Sequence, residues 1–254
     1  MSELLVFNRG QVPPCVGFIG HAYYTGKFDK RKDGSVRFLT SGDLVTMNDR
    51  IIDVFVVGAG GGGGKHTASN FNGGGGAGYT ETAYGIEIKA GVKYHIEIGQ
   101  GGAGAEGTTG EEDRTTGEDG EATTAFGVTA AGGKGGLRKG GGDGGSGGGT
   151  GDSTGTNNGG GMDGGNGRGS EGGAGQGKTT RAFEDANGDL YATGGNGGAY
   201  GVTSMPGEAN TGNGGDGGAY RVERNPNTGA VQSYFIQEAQ KGGSGIAIIR
   251  KAVG

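Results

Sequence analysis

The sequence has one cysteine, four prolines, no tryptophan and few apolar residues, and most of these shortages exclude something. A lone Cys15 cannot close an intrachain disulfide, so no cystine framework holds the fold. With so little proline, and glycine at no strict every-third position along the whole chain, a collagen triple helix is excluded. Apolar residues make up 30% of the chain, too few for a large oily core. No apolar run approaches the roughly 18 residues of a membrane span, which predicts no membrane insertion. The net charge of −5, with its basic residues scattered, argues against a nucleic-acid surface. Residues 1–9 show no basic n-region, apolar h-region or small-residue cleavage site, so the expectation is a soluble protein made in a cytoplasm.

What the chain has instead is glycine, 70 residues of 254. That composition is ordinarily a mark of low-complexity disorder. The glycines are unevenly placed, however: residues 1–57 hold 6 and residues 58–254 hold 64. The sequence therefore divides into a β-rich segment over 1–50 and a glycine-rich domain over 51–254. In the first, residues 21–28 and 35–40 are aromatic or β-branched runs around the polar stretch 29–34, a hairpin signal. Six of the chain's 18 Phe and Tyr residues fall in this segment, enough for a small sheet, which suggests an attachment module. In the second, strands are expected at 51–57, 84–89, 92–98, 122–130 and 246–251. Alternation on both sides of Ala90-Gly91 predicts a tight hairpin there. Pairing of the first and last of these strands would close the glycine region into one domain.

Ala131, Lys134, Leu137, Gly140, Asp143 and Ser146 sit three apart in nearly pure glycine, broken only by Arg138 and Lys139. Gly-Gly-X returns as Gly194-Gly195-Asn196-Gly197-Gly198-Ala199-Tyr200 and, twenty residues later, as Gly214-Gly215-Asp216-Gly217-Gly218-Ala219-Tyr220. Neither an α-helix nor a strand has period three, but the polyproline-II conformation does. In Gly-Gly-X one face of such a helix carries the side chains and two faces are bare backbone, open to close lateral bonding. Ordering costs roughly 0.5–1 kcal/mol more for each glycine than for alanine, so about sixty of them oppose folding by tens of kcal/mol. Lateral N–H···O bonds, about 0.5–1.5 kcal/mol net each, and Cα–H···O contacts offset that only if most tracts pack. The expected fold is mostly irregular and all-β: a bundle, or sandwich, of polyglycine-II helices framed by a small antiparallel sheet. Between the tracts lie loops of ordinary composition.

Two nucleotide-binding patterns occur by chance composition. Gly172-Gly173-Ala174-Gly175-Gln176-Gly177-Lys178-Thr179 spells a P-loop but lacks the strand before it and the helix after it. Gly58-Ala59-Gly60-Gly61-Gly62-Gly63 follows a strand, yet no helix follows it. The acidic stretch 106–121 lacks the ligand spacing of an EF-hand, and His21, His66 and His95 share no metal-ligand spacing. No catalytic constellation, cofactor or metal is expected.

The ordered series 53–64, 73–79, 94–104, 126–133 and 242–250 resembles the glycine-rich domain of phage tail-fibre proteins, of which the detachable adhesins of T-even-like phages are the best known in architecture. The resemblance implies a non-enzymatic protein at the distal end of a virion tail fibre. Variable loops would touch a bacterial surface receptor, an outer-membrane protein or a glycan, and residues 1–50 would meet the fibre shaft protein. Aromatic residues and Arg are the usual anchors of such contacts. Arg181, Phe183, Tyr191, Met205, Tyr234 and Phe235 are the receptor-binding candidates. Tyr79, Tyr200 and Tyr220 each end a glycine tract, so they either cap the bundle or bind. A structural virion component and an ice-binding protein are the alternatives.

Overall fold

The computed structural model describes residues 22–66, 72–106, 116–151 and 158–253. Phe7, Cys15, Phe18, His21 and most of the acidic stretch lie outside them. The described chain is all-β, with one single-turn 3-10 helix at Ala182–Glu184. One five-stranded sheet has the order β1 (Ala22–Tyr24), β4 (Gly42–Thr46), β7 (Lys93–Glu97), β8 (Thr123–Ala125), β9 (Val128–Ala130). A second has the order β2 (Phe28–Lys30), β3 (Val36–Phe38), β12 (Ile246–Lys251), β5 (Arg50–Val57), β6 (Thr80–Ile88). A separate hairpin joins β10 (Ala219–Arg224) to β11 (Val231–Gln237), and every pairing is antiparallel.

The two five-stranded sheets bury one shared core. Leu44, Ile96 and Ala125 from the first sheet meet Phe38, Ile52, Val54, Val56, Ala247 and Ile249 from the second. The alternate residues Phe55, Val57, Ile246 and Ile248 face the other way, against Phe183, Tyr191 and Ala192. Strands covered on both faces need apolar side chains at nearly every position. That is why β5 and β12 read as continuous runs rather than as alternating ones.

The exception in β5 is Asp53, which is 1% exposed and pairs directly across the sheet with Arg250. Its Oδ2 accepts from Arg250 Nε at 3.1 Å, and its Oδ1 accepts from the Gly85 amide at 3.2 Å. The Arg250 guanidinium also lies 4.1 Å from the centre of the Phe183 ring. Opposite Asp53 the β5–β6 register shifts, so that Tyr84 and Gly85 stand against one residue. Gly85 has φ +68°, the left-handed geometry of a β-bulge.

Between the strands, the glycine tracts bond sideways with a period of three. Gly58, Gly61 and Gly64 donate to the carbonyls of Tyr79, Gly76 and Gly73. Ala59 and Gly62 donate to Glu121 and Glu118, and Gly60 and Gly63 to Gly243 and Gln240. Three further segments donate back in the parallel sense: Gly102 and Ala105, Gly133 and Gly136, Gly215 and Gly218. The 58–64 tract is thus surrounded by six others, and its donated bonds are 2.8–3.0 Å long. A Cβ on Gly63 would sit 2.0 Å from the carbonyl oxygen of Asp216.

The structure departs from sequence expectation in four places. β6 and β7 form no hairpin at Ala90-Gly91; β6 pairs with β5 and β7 with β4, so residues 89–92 turn from one sheet to the other. Alternation marked two half-buried strands but not which partners they take. The strand expected at 122–130 is a hairpin, β8–β9, folded at Phe126-Gly127, where both residues have positive φ. The 131–146 period is interrupted at Arg138-Lys139 because the chain reverses there, with Lys134 N bonded to Asp143 O and Leu137 N to Gly140 O. The β10–β11 hairpin lies in what read as a loop.

Three outcomes are expected. Gly63→Ala is expected to lower stability by about 3 kcal/mol or more, because the overpacked atom is opposed by backbone and not by a movable side chain. Lys134→Ala, which removes an exposed partner of Asp119, is expected to cost less than about 1 kcal/mol. Asp53→Ala, which strands Arg250 over Phe183, is expected to cost about 3 kcal/mol. Denaturant unfolding of the full chain measures all three.

Candidate functional site

The path of the tracts sorts the connectors between two ends. The 58–64 tract leaves β5 and the 73–79 tract returns to β6, so Lys65, His66 and Asn72 lie at the end remote from the sandwich. Following the lateral bonds in the same way places Glu106, Thr116, Gly151, Asn158 and the connectors 137–140, 168–172, 199–206 and the β10–β11 hairpin at that remote end. Connectors 144–147, 161–164, 176–193 and 207–212 lie at the sandwich end. Residues 67–71, 107–115 and 152–157 are outside the described residues.

This division separates the residues singled out from sequence. Met205, Tyr200, Tyr220, Tyr234 and Phe235 belong to remote connectors, whereas Arg181, Phe183 and Tyr191 belong to the sandwich end. Phe183 and Tyr191 are 8% and 5% exposed, with ring centroids 5.9 and 5.7 Å from Phe55. They cover the outer face of the second sheet, so they are packing residues and not a contact surface. Tyr84 holds the same loop by donating from its hydroxyl to the Phe183 carbonyl at 2.8 Å. Arg181 is half-buried, donating from Nη1 to the Gly188 carbonyl at 2.9 Å and pairing through Nε with Asp163 at 3.3 Å. A hydrogen bond from Thr179, joined by the Thr180 amide and Arg181, holds the Asp163 carboxyl below its ordinary pKa. Tyr79 is half-buried where its tract enters β6, at the sandwich end, and its backbone bonds laterally on both sides.

At the remote end, Met205 is 60% exposed, and Leu137, Tyr200, Val202, Val231 and Ile236 are exposed with it. Tyr234 and Phe235 lie on β11, paired through the backbone with Val222 and Arg221. The tip of the hairpin is ordered by Asn225, whose Oδ1 accepts the amides of Asn227 and Thr228 at 2.8 and 3.1 Å. Beside this surface a cleft of about 620 Å³ is lined by Leu137, Arg138, Lys139, Asp143 and Glu171.

The position of connector 199–206 is set from below by Asp216, which is 7% exposed. Its Oδ2 accepts the Met205 amide at 2.9 Å, and its Oδ1 accepts the Asn196 amide at 2.7 Å. Burial raises the pKa of this carboxyl, and the bonds from Asn196 and Met205 oppose the rise. Above it, the Tyr200 hydroxyl donates to Glu223 Oε1 on β10 at 3.0 Å. Asp216, Asn196 and Glu223 were not singled out from sequence, although the twenty-residue repeat that contains the first two was visible. At the sandwich end a second cleft, of about 1000 Å³, is lined by Ile51, Tyr84, Glu87, Lys89, Lys251 and Val253, among others.

Among the described residues no cluster of three or more His, Cys, Asp or Glu is placed to hold a metal ion, and no helix is long and apolar enough to cross a membrane. The arrangement offers an exposed surface on a backbone held from within. Comparison with curated proteins gave no match. The model of the glycine-rich domain family matches residues 40–252, a span that holds every glycine tract and all of the second sheet except β2 and β3. The chain belongs to the glycine-rich domain family.

Proposed function

We propose that this chain is a non-enzymatic recognition protein of a phage tail fibre. It binds a bacterial surface receptor, an outer-membrane protein or a glycan, through the connectors at the end remote from the sandwich. The observation that carries this reading is the segregation of connectors. Among the described residues, the remote end gathers connectors 137–140, 168–172 and 199–206 and the β10–β11 hairpin, with the exposed side chains of Leu137, Tyr200, Val202, Met205, Val231 and Ile236. The period-three lateral bonding supports the finer description of the tracts as polyglycine-II helices. Such helices make a stiff support, and loops held on it lose less entropy on binding than free ones would.

On this reading the sandwich is the attachment end, and residues 1–50 meet the fibre shaft on the virion. β1–β4 of that segment are built into both five-stranded sheets, which would transmit the attachment directly to the bundle. The cleft beside Ile51, Tyr84 and Val253 favours a second reading, in which the chain is a structural virion component that contacts other phage proteins.

Cell binding by the purified full chain across a panel of Gram-negative strains tests the proposal. Exchanging 199–206 for a glycine–serine connector of equal length is expected to weaken binding at least tenfold with the melting temperature nearly unchanged. Exchanging 180–191 instead is expected to destabilise the chain by about 3–5 kcal/mol, since Phe55 loses the rings of Phe183 and Tyr191. Binding that survives the first exchange would sink the recognition reading. Binding to no strain, together with retention on the virion, would favour the structural one.

A further inference from the structure

Runs of glycine carry no register of their own. A Gly-Gly-X tract displaced by three residues against its neighbour would make the same backbone bonds, as a featureless strand does after a slip. Something else must fix how far each connector stands out from the bundle. The two copies of Gly-Gly-X-Gly-Gly-Ala-Tyr lie side by side and parallel, with Gly214 N bonded to Thr193 O and Gly217 N to Asn196 O, each at 2.9 Å. Side chains bond in the opposite direction at the same period. The Thr193 amide donates to Asn213 Oδ1 at 2.9 Å, and three residues on the Asn196 amide donates to Asp216 Oδ1 at 2.7 Å. The Asn196 side chain adds a bond to the same oxygen at 3.1 Å.

These rungs stop at the two remote elements. Asp216 takes the Met205 amide and returns its own amide to the Met205 carbonyl at 3.1 Å, so the far side of connector 199–206 is bonded to it twice. Ser204 Oγ donates to the Gly217 carbonyl at 2.7 Å. Tyr200, which ends the first motif, reaches Glu223 on the strand that starts within the second. We propose that the duplicated motif is a register lock. Asn213 and Asp216 set the offset between the two tracts, and Tyr200–Glu223 closes it, so that connector 199–206 and the β10–β11 hairpin present one composite recognition face. Its role in recognition rests on the function proposed above; the lock itself needs no receptor to be observed.

The buried Asp216 carboxylate suits this task. A side chain without an acceptor on each of two sides could not take the Asn196 and Met205 amides together, and asparagine there would offer one carbonyl oxygen in place of two carboxylate oxygens. Asn213 and Asp216 are therefore separable from the exposed Met205 and Val202, which they hold in place without forming the surface.

Amide hydrogen exchange on the full chain, followed segment by segment, tests the lock. Asp216→Ala is expected to speed exchange about tenfold in both 199–206 and 219–224 while leaving 58–64 unchanged. Tyr200→Phe and Glu223→Ala are each expected to speed the same two segments about threefold, and the double variant no more than either single one. Asp216→Asn serves if the alanine variant fails to fold, with a smaller rise in the same segments. Exchange that rises only in the substituted tract, rises evenly through the bundle, or does not change at all would overturn the proposal. Cell binding by the same variants is measured separately, so a failed recognition reading shows as absent binding with the coupled exchange intact.

Discussion

The whole domain depends on how closely one backbone can approach another when no Cβ lies between them. Around Gly63, the place a side chain would begin is 2.0 Å from a neighbouring carbonyl oxygen, and Gly60 and Gly62 stand in the same relation to their neighbours. That approach allows the 58–64 tract to bond to six segments at once. It also makes the order cooperative. An isolated extended glycine segment makes no hydrogen bonds within itself, so each tract is held only by the tracts around it. The composition that normally favours disorder becomes an architecture when enough tracts assemble to satisfy one another's amides.

Cooperation of that kind needs a fixed starting geometry, and the β-sandwich supplies it. β5 delivers the chain into the central tract and β12 receives it from the last one; β12 pairs with β5 over its whole length, from Ile246–Val57 to Lys251–Ile52. Both faces of this pair are covered, one by the first sheet and the other by the loop carrying Phe183 and Tyr191. The buried Asp53 carboxylate and its half-buried partner Arg250 sit on the second face, tied to the bulge through Gly85 and to the loop through the Phe183 ring. The apolar side chains missing from the bundle are concentrated where the strands need them. A modest hydrophobic core can therefore organise a much larger mass of backbone.

The features legible in the sequence are those that repeat. The period of three, the apolar runs of β5 and β12, and the confinement of glycine beyond residue 57 each mark a regular environment extending over many residues. Partner choice was not legible. Alternation around Ala90-Gly91 describes two half-buried strands equally well whether they face each other or belong to different sheets, and the core between β4 and β7 decided it. Residue type also misled in the loop 176–193, where Phe183 and Tyr191 have the composition of a binding anchor and the position of a core residue. Only the path of the tracts distinguishes the two ends, and a path is set by long-range bonds that leave no local mark. The hairpin at 219–237 was missed for a related reason: its strands have mixed polarity, because outside a sandwich they need no continuous apolar face.

The same reasoning explains why the few non-glycine residues inside the tracts matter beyond their number. Bare backbone provides cohesion without address, since every Gly-Gly-X unit is a fair substitute for the next. Address comes from the X positions whose side chains turn inward, such as Asp216, Asn196 and the fully buried Ser146, whose hydroxyl accepts the Gly164 amide at 3.1 Å. Outward X positions such as Lys134 and Leu137 carry no such bond to a neighbouring tract's backbone through the side chain, and their chemistry can vary at little cost to packing. A protein built this way keeps cohesion, register and surface on three different sets of residues. Connectors at the remote end can then change in sequence while the glycines hold the bundle and the inward polar side chains hold its alignment. That separation is the physical advantage of building with glycine.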